Sequence, residues 1–318
     1  MSLRYQLYRS LWDRQLIPAG AQRYIYKRLT KLGEAPDAPF TKDFFGLQYH
    51  GNLNRNIDFN IYFYGAFEKP LLFFLRDAMH SMAPQDTVFI DIGANVGQHS
   101  LFMAAHGCAV HSFEPFAPVR EQLQKQISAN HLQTIQVHPV GLSNDNTRLP
   151  FYAPTGNNVG IGSFDASTTS KGNVAIGELE LVRGDDALSA LGVTRIDLMK
   201  MDVEGFEKLA LAGLQQTLLS TRPLLVCEIT YGQALSFGSP EDLLAHLPPH
   251  YQLFTFNKRK ADGSKDRRRD ARSRHSGEYR LLPLQGFLAS GQDDIIACPE
   301  EKIPLLPLRN LSQLAATQ

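Results

Sequence analysis

The 318 residues, 43% hydrophobic and 20% charged, fit a soluble globular protein with room for one large α/β domain with additions or two small ones. Lys plus Arg and Asp plus Glu each number 32, so net charge points to no class of partner. Three widely spaced cysteines, Cys108, Cys227 and Cys298, exclude a disulfide framework or a Cys-based zinc site and suit a reducing compartment.

Charge is unevenly spread. Residues 1–35 hold seven basic residues against two acidic, and residues 257–280 hold ten against four, so the remainder is acidic. A helix is expected over residues 2–16, with Leu3, Leu7, Tyr8, Leu11 and Trp12 on one face. Pro18-Ala19-Gly20 ends it, and a second short helix over 21–32 carries Arg23, Lys27, Arg28 and Lys31. Two readings of this basic stretch stay open: a helix packed on the protein, or an anchor on an anionic membrane or a polyanionic substrate. Arg4, Arg9, Asp13 and Arg14 interrupt any signal-peptide core, and Asn95, Gln98 and His99 are among the polar residues that rule out a membrane span over 92–113. The expected location is cytoplasmic, with peripheral contact at the inner membrane face as an option.

Residues 35–45 read as a linker. Residues 46–64 alternate, with Ile57, Phe59, Ile61 and Phe63 on one side, which predicts a half-buried strand. A helix is expected over Pro70–Met82. The domain plan is then a helical extension and linker over 1–45, a main domain over 46–300 with an inserted loop at 145–185 and a basic loop at 257–276, and a tail over 301–318.

The core begins with a strand over 87–92, apolar except for Asp91, followed by the turn Gly93-Ala94-Asn95-Val96-Gly97 and a helix over 97–106. Dinucleotide sites prefer G-x-G-x-x-G, whereas this turn is G-x-x-x-G with an acid two residues ahead of it. Asp91 would repel a pyrophosphate but accept hydrogen bonds from an ammonium, such as that of S-adenosylmethionine. The next strand, 109–114, ends in Glu114, about 20 residues after the turn, the offset of a carboxylate that accepts both ribose hydroxyls. An ordinary tight turn and a solvated strand-end acid are the competing readings.

A helix over 116–129 and a strand over 133–139 follow. In a doubly wound sheet the ligand lies at the carboxyl ends of the strands, so Gly141, Leu142 and Ser143 are placed to line an adenine. Leu149–Tyr152 and Glu178–Arg183 can pair as an inserted hairpin. The Gly-, Asn-, Ser- and Thr-rich stretch between them reads either as a substrate flap offering Asn157, Asn158 and Ser163, or as a mobile surface loop. A short helix from Asp185, a strand over Arg195–Asp202, a helix over 204–219 and a strand over Pro223–Ile229 complete the central part. A helix near 239–247, a strand over 251–256 and an antiparallel strand over Asp294–Ala297, at or near one edge, end the sheet. The run Asn257–Arg274 is so polar that a flexible loop is expected, either solvated or aimed at a phosphorylated glycan, a lipid headgroup or RNA. It lacks aromatic residues, which disfavours nucleic acid.

Three segments together carry a resemblance: Asp91-Ile92-Gly93-Ala94-Asn95-Val96-Gly97, Phe113-Glu114-Pro115, and Lys200-Met201-Asp202-Val203-Glu204-Gly205-Phe206-Glu207. They resemble the FkbM family of S-adenosylmethionine-dependent methyltransferases, over roughly residues 60–230. The resemblance implies a doubly wound, mostly parallel seven-stranded class I methyltransferase sheet and S-adenosylmethionine as cofactor, bound by Asp91, Gly93, Asn95, Gly97, Glu114, Gly141, Leu142, Ser143 and Asp202. It also implies O-methylation of a glycan or another secondary metabolite. In the resembled family a Gly-x-x-Glu segment precedes the first core strand, which implies a cofactor- or substrate-side role for Glu68, beside the plainer reading of an acid in a helix's first turn.

A hydroxyl is a poor nucleophile, so methyl transfer to it gains from a nearby base. Asp202 and Glu228 end adjacent strands and are the candidates, with Lys200 two residues before Asp202 on the same face. Asp202 and Glu204 have competing roles, capping the next helix and holding the cofactor's methionine end, and Glu204 is also a substrate-side candidate. His99 and Ser100 either contact the cofactor carboxylate or merely satisfy a helix start. No histidine joins Asp202, Glu204 and Glu228 in sequence, and no metal is expected. The expected partner is a small-molecule or glycan hydroxyl, with a phosphorylated acceptor among the options. An RNA methyltransferase and a catalytically silent polyanion- or membrane-binding module remain as alternatives. Oligomeric state is not legible.

Overall fold

A computed structural model describes residues 3–13, 17–82, 85–154, 162–232, 236–260 and 262–310. The chain divides into two compact units, Met1–Phe67 and Glu68–Gln318. No helix among the described residues is long and apolar enough to cross a membrane.

The first unit contains α1 (Leu3–Asp13), α2 (Ala19–Lys31), β1 (Pro39–Phe44), β2 (Leu47–Asn52) and α3 (Asn56–Tyr64). Residues 39–44, expected in a linker, pair with β2 through a tight turn at Phe45-Gly46, where both residues have positive φ as such turns require. The strand expected to run on to residue 64 is instead helix α3. Its alternating apolar residues also stand four apart, so Phe59 and Phe63 meet on a helical face with ring centroids 4.8 Å apart. Gly65, at φ 86°, ends the helix, and buried Asp58 ties it to the hairpin by accepting from the Tyr49 hydroxyl at 2.7 Å and the Asn52 N–H at 2.8 Å. On α2, Ile25, Tyr26 and Leu29 are buried, while Arg23, Lys27 and Arg28 lie over rings of Tyr64, Phe59 and Tyr24 in the same unit.

The second unit begins with α4 (Lys69–Met82), β3 (Val88–Ile92), α5 (Gln98–Ala105), β4 (Ala109–Phe113), α6 (Ala117–Ala129) and β5 (Ile135–His138). Then come β6 (Gly141–Ser143), β7 (Thr147–Pro154), β8 (Asn173–Arg183), α7 (Gly184–Ala190), β9 (Leu198–Met201), α8 (Glu207–Ala212), α9 (Gln215–Thr221) and β10 (Leu224–Tyr231). The unit closes with α10 (Pro240–Leu244), β11 (Tyr251–Phe256), α11 (Arg267–Ser276), β12 (Leu281–Pro283) and β13 (Gly291–Pro299).

The main sheet has eight strands rather than seven, in the order β12-β11-β13-β10-β9-β3-β4-β5. From β5 to β10 neighbours run parallel. β13 is antiparallel to both its neighbours, as expected, and lies near one edge, third in the order. β12, three residues long, is the added edge. Strand order reverses between β3 and β9, with β4 and β5 added on one side of β3 and β9 and β10 on the other, and such a switch point opens a crevice at the carboxyl ends of the strands. Phe89, Ile90, Leu198, Met199, Leu225 and Ile295 on these central strands are fully buried.

The expected hairpin forms, with Leu149 opposite Leu179 and Pro150 opposite Glu178, and β6 joins it in a separate three-stranded sheet. The helix expected over 204–219 is broken into α8 and α9 at Gly213-Leu214. Gly213 packs on the backbone of Ser143, where a Cβ would lie 1.8 Å from the carbonyl oxygen. Asp185, distant in sequence, accepts from the Gln216 and Thr217 N–H groups and so starts α9 anew. The basic stretch expected as a loop contains α11, started by Asp266, whose side chain accepts from the Arg268 and Arg269 N–H groups. Beyond the sheet, residues 300–305 form a 3-10 turn, and buried Asn310 accepts from the Tyr279 N–H, so the expected tail is in part folded structure.

Candidate functional site

Asp91 lies near the end of β3, opposite Ser112 on β4 and Lys200 on β9. It is wholly buried. Its Oδ2 accepts from the Ser100 hydroxyl at 2.6 Å, while Oδ1 has no hydrogen-bond partner. Burial raises its pKa against the opposing pull of Lys200 and Ser100. The turn that follows folds over β4, with the N–H groups of Gly93 and Ala94 donating to the Phe113 carbonyl. Gly93, at φ 78°, is needed twice over: for its left-handed backbone, and because a Cβ would lie 1.9 Å from the Asp202 carbonyl oxygen. Gly97 ends the turn, and there a Cβ would strike Leu123 at 2.1 Å.

Glu114 follows β4 and braces the turn. Its Oε2 accepts from the Asn95 N–H at 2.9 Å and its Oε1 from the Phe116 N–H at 2.8 Å. Burial nonetheless pushes its carboxyl up to about 7. A cleft of about 70 Å³ opens here, lined by Gly93, Asn95 and Glu114 on one side and Asp202, Val203 and Glu204 on the other. Phe151, on β7, and Phe164, in the segment between β7 and β8, line it with ring centroids 5.0 Å apart. Of the residues expected near an adenine, Gly141 abuts Leu181 and Pro115, the latter next to Glu114. Leu142 belongs to the hydrophobic core, and Ser143 is buried with its hydroxyl donating to the Asn144 side chain. Neither is among the residues lining the cleft.

On the far side, buried Lys200 donates to Asp202 Oδ2 at 3.0 Å. Burial works against the Lys200 ammonium, but the carboxylates of Asp202, Asp91 and Glu68 together push its pKa up. Glu228 stands on β10, opposite Asp294 on β13. Its carboxyl is driven well above the usual range, first by burial and then by Asp202 and Glu68. Glu68 sits just ahead of α4 with φ 46°, and its pKa is pushed up to about 8, chiefly by burial and then by Asp294. Its Oε2 lies 3.7 Å from His99 Nε2, and neither atom has a hydrogen-bond partner. Burial, with the charge of Lys200, holds His99 well below the usual imidazole range.

These placements gather two groups of carboxylates that share Glu228: Glu68, Glu228 and Asp294, and Asp202, Glu204 and Glu228. Within each group the nearest oxygens lie within 4.8 Å of one another. Two members of this centre escaped the sequence reading. Asp294 lay inside an expected strand, and Lys258, which donates to Asp294 Oδ2 at 2.9 Å, lay in an expected loop. Glu204, at φ 52°, accepts from the Ser163 hydroxyl at its carbonyl, which fixes the base of the insertion to the site. His99 and Ser100 prove to serve Glu68 and Asp91 respectively. Asn157 and Asn158 lie outside the described residues. Chemically, the centre offers carboxyl oxygen and backbone N–H at the glycine turn, and Asp202, paired with Lys200, beside Glu228, whose carboxyl burial raises.

Residues 91–255 match the family described as Methyltransferase FkbM domain. Among curated proteins the chain is similar to the AMB antimetabolite synthetase AmbE of Pseudomonas aeruginosa, 27% identical over 46% of this chain and 8% of that protein. It is also similar to Methyltransferase 1 of Beauveria bassiana, 26% identical over 41% of this chain and 59% of that protein. The chain thus spans less than two thirds of each of these relatives. Among solved structures, a SAM-dependent methyltransferase from Agrobacterium tumefaciens aligns over 84% of this chain and 72% of its own, with TM-score 0.43 and 12% identity. A TehB-like SAM-dependent methyltransferase from Corynebacterium glutamicum aligns over 73% and 88%, with TM-score 0.37 and 12% identity.

Proposed function

Because the chain belongs to the FkbM methyltransferase family, whose cofactor is S-adenosylmethionine, we propose that it methylates a hydroxyl of a glycan or another secondary metabolite. The observation that carries this reading is the pair of carboxylates, Asp91 and Glu114, at the carboxyl ends of neighbouring strands and on either side of a turn that needs glycine.

The residues present suit the cofactor. Each Glu114 oxygen accepts one backbone N–H, and an ionised carboxylate has about four acceptor positions, so capacity remains for two ribose hydroxyls. Asp91 Oδ1, a buried acceptor without a hydrogen bond, suits the ammonium of the amino-acid end. Gly93, Asn95 and Gly97 shape the turn around that end, and Gly141 flanks Glu114 on the adenine side. A cleft of about 70 Å³ is well below the several hundred Å³ of ligand pockets. Phe151 and Phe164 must therefore move aside for entry, and the insertion that carries Phe151 acts as a flap.

When bound, the cofactor supplies a methyl group already activated by its sulfonium. The chain then has to place the acceptor oxygen and manage its proton. Asp202 is the base: Lys200 anchors its Oδ2, and the hydroxyl proton passes to the carboxylate. Burial, with Asp202 and Glu68, raises the Glu228 carboxyl, which favours a hydrogen-bonding role toward the acceptor over that of base. Glu68 and Glu204 border the same space and orient the acceptor.

Titration calorimetry with S-adenosylhomocysteine tests the reading. The purified chain should bind it saturably, and Asp91→Asn and Glu114→Gln should each weaken binding by roughly tenfold or more. A chain that takes up no S-adenosylhomocysteine would refute it.

A further inference from the structure

A second cavity, of about 410 Å³, lies between α11 and the end of β11. Its size falls within the range of small-ligand sites, about 300–1,000 Å³. The floor is aromatic: Phe256 and Tyr279 are buried and meet edge to face at 6.3 Å. Tyr279 is fixed there by its hydroxyl, which donates to Asp77 at 2.8 Å. The walls are cationic, with Lys258, Arg268, Arg269, Arg272 and Arg280 against Asp270 and Glu278.

The pairing of these charges is uneven. Lys258 is bound to Asp294, Arg269 lies 3.6 Å from Asp266, and Arg272 lies 3.2 Å from Glu278. Asp270 is taken by Lys265 and Arg274. Arg268 and Arg280 are left with no carboxylate partner among the described residues.

Hydrophobic burial does not explain why α11 is there, since none of its ten residues is buried. It is held by the Asp266 cap, the Asp270–Arg274 pair and Gly277, whose missing Cβ makes room for the Phe73 ring. The result is a helix kept in position by polar ties, with arginines along the wall of a cavity. That cavity reaches the centre described above through one side chain: Lys258 lines the cavity and binds Asp294, which stands opposite Glu228.

We propose that this cavity holds the phosphate of a phosphorylated sugar acceptor, gripped by Arg268 and Arg280 with the sugar ring over Phe256 and Tyr279. A guanidinium fork matches phosphoryl oxygens in two-point contact, which a lysine does not. The assignment of this ligand as the acceptor rests on the methyl-transfer reading, and what links the two sites is Lys258, which lines the cavity and binds Asp294 beside Glu228.

The test is calorimetry on the full chain with glucose 6-phosphate, inorganic phosphate and glucose, with S-adenosylhomocysteine titrated in parallel. Glucose 6-phosphate should bind, inorganic phosphate more weakly, and glucose not measurably. The double variant Arg268→Ala/Arg280→Ala should weaken glucose 6-phosphate by roughly tenfold or more and leave S-adenosylhomocysteine binding unchanged, which also shows that it folds. Arg268→Lys/Arg280→Lys should recover part of the loss, keeping charge without the fork. Glucose 6-phosphate that binds both proteins equally, or does not bind the wild type, overturns the proposal. So does a short RNA that binds more tightly and loses affinity in the same variant. Failure of S-adenosylhomocysteine to bind would instead sink the methyl-transfer reading and leave the phosphate result standing on its own.

Discussion

Glu207 shows how much one buried side chain decides at this site. Its Oε1 accepts the N–H groups of Val203 and Gly205, at 3.0 and 3.1 Å, and so shapes the loop that presents Asp202 and Glu204. Burial pushes its carboxyl up to about 7 from a reference of 4.5, although those two hydrogen bonds favour the charged form. A folded pKa above the unfolded one means the folded protein binds more protons across that interval. The stabilising contribution is therefore complete below about pH 4.5 and is lost as pH rises through about 7. Glu207→Gln should show a smaller fall in melting temperature than wild type between about pH 5 and pH 8; parallel curves would contradict the assignment. The sequence made some of these residues legible and hid others. Asp91 interrupts an apolar strand just ahead of the glycine turn and Glu114 directly follows β4, so their positions can be read locally. Asp294 and Lys258 are brought to the centre by β13 and β11, and nothing in their own neighbourhoods marks them. Glu228 was visible as a strand-end acid, but its raised pKa comes from burial and from Asp202 and Glu68, which only the fold places beside it.

At the scale of the element, the misread segments share one cause: a distant side chain settled an ambiguous local pattern. The α3 sequence fits both period two and spacing four, and Asp58, bonded to the hairpin, accompanies the helical outcome. The α8–α9 break depends on Gly213 against Ser143 and on Asp185, nearly buried, which accepts two N–H groups at the start of α9. Asp185→Ala should therefore cost about 1–2 kcal/mol, the loss of a helix cap, read as a lower urea midpoint; an unchanged midpoint would mean that α9 starts without it. In α11 the composition pointed to a loop, yet Asp266, Gly277 and the i,i+4 pair Asp270–Arg274 supply what a helix needs without burial. Such a helix is marginal on its own, so its persistence depends on those ties.

At the scale of the molecule, the β-α-β alternation from residue 87 onward was enough to read a doubly wound sheet, and the turns after β3, β4 and β9 line the cleft where that architecture puts it. The fold is a doubly wound sheet of eight strands rather than the seven expected. β12 is only three residues long, too short to stand out in the sequence. The distribution of charge makes sense at this scale as well. Glu68, Asp202, Glu204, Glu228 and Asp294 gather at the crevice, and Arg268, Arg269, Arg272 and Arg280 border the neighbouring cavity, so a chain of zero net charge carries two regions of opposite sign. The central claim is that the Asp91 turn and Glu114 hold the methyl donor. A crystal structure of the chain soaked with S-adenosylhomocysteine tests it most directly. The account predicts the ribose hydroxyls within hydrogen-bonding distance of the Glu114 carboxylate, the amino-acid end against Asp91 and Gly93, and Phe151 and Phe164 displaced. A nucleoside bound elsewhere, with Glu114 untouched, would contradict it.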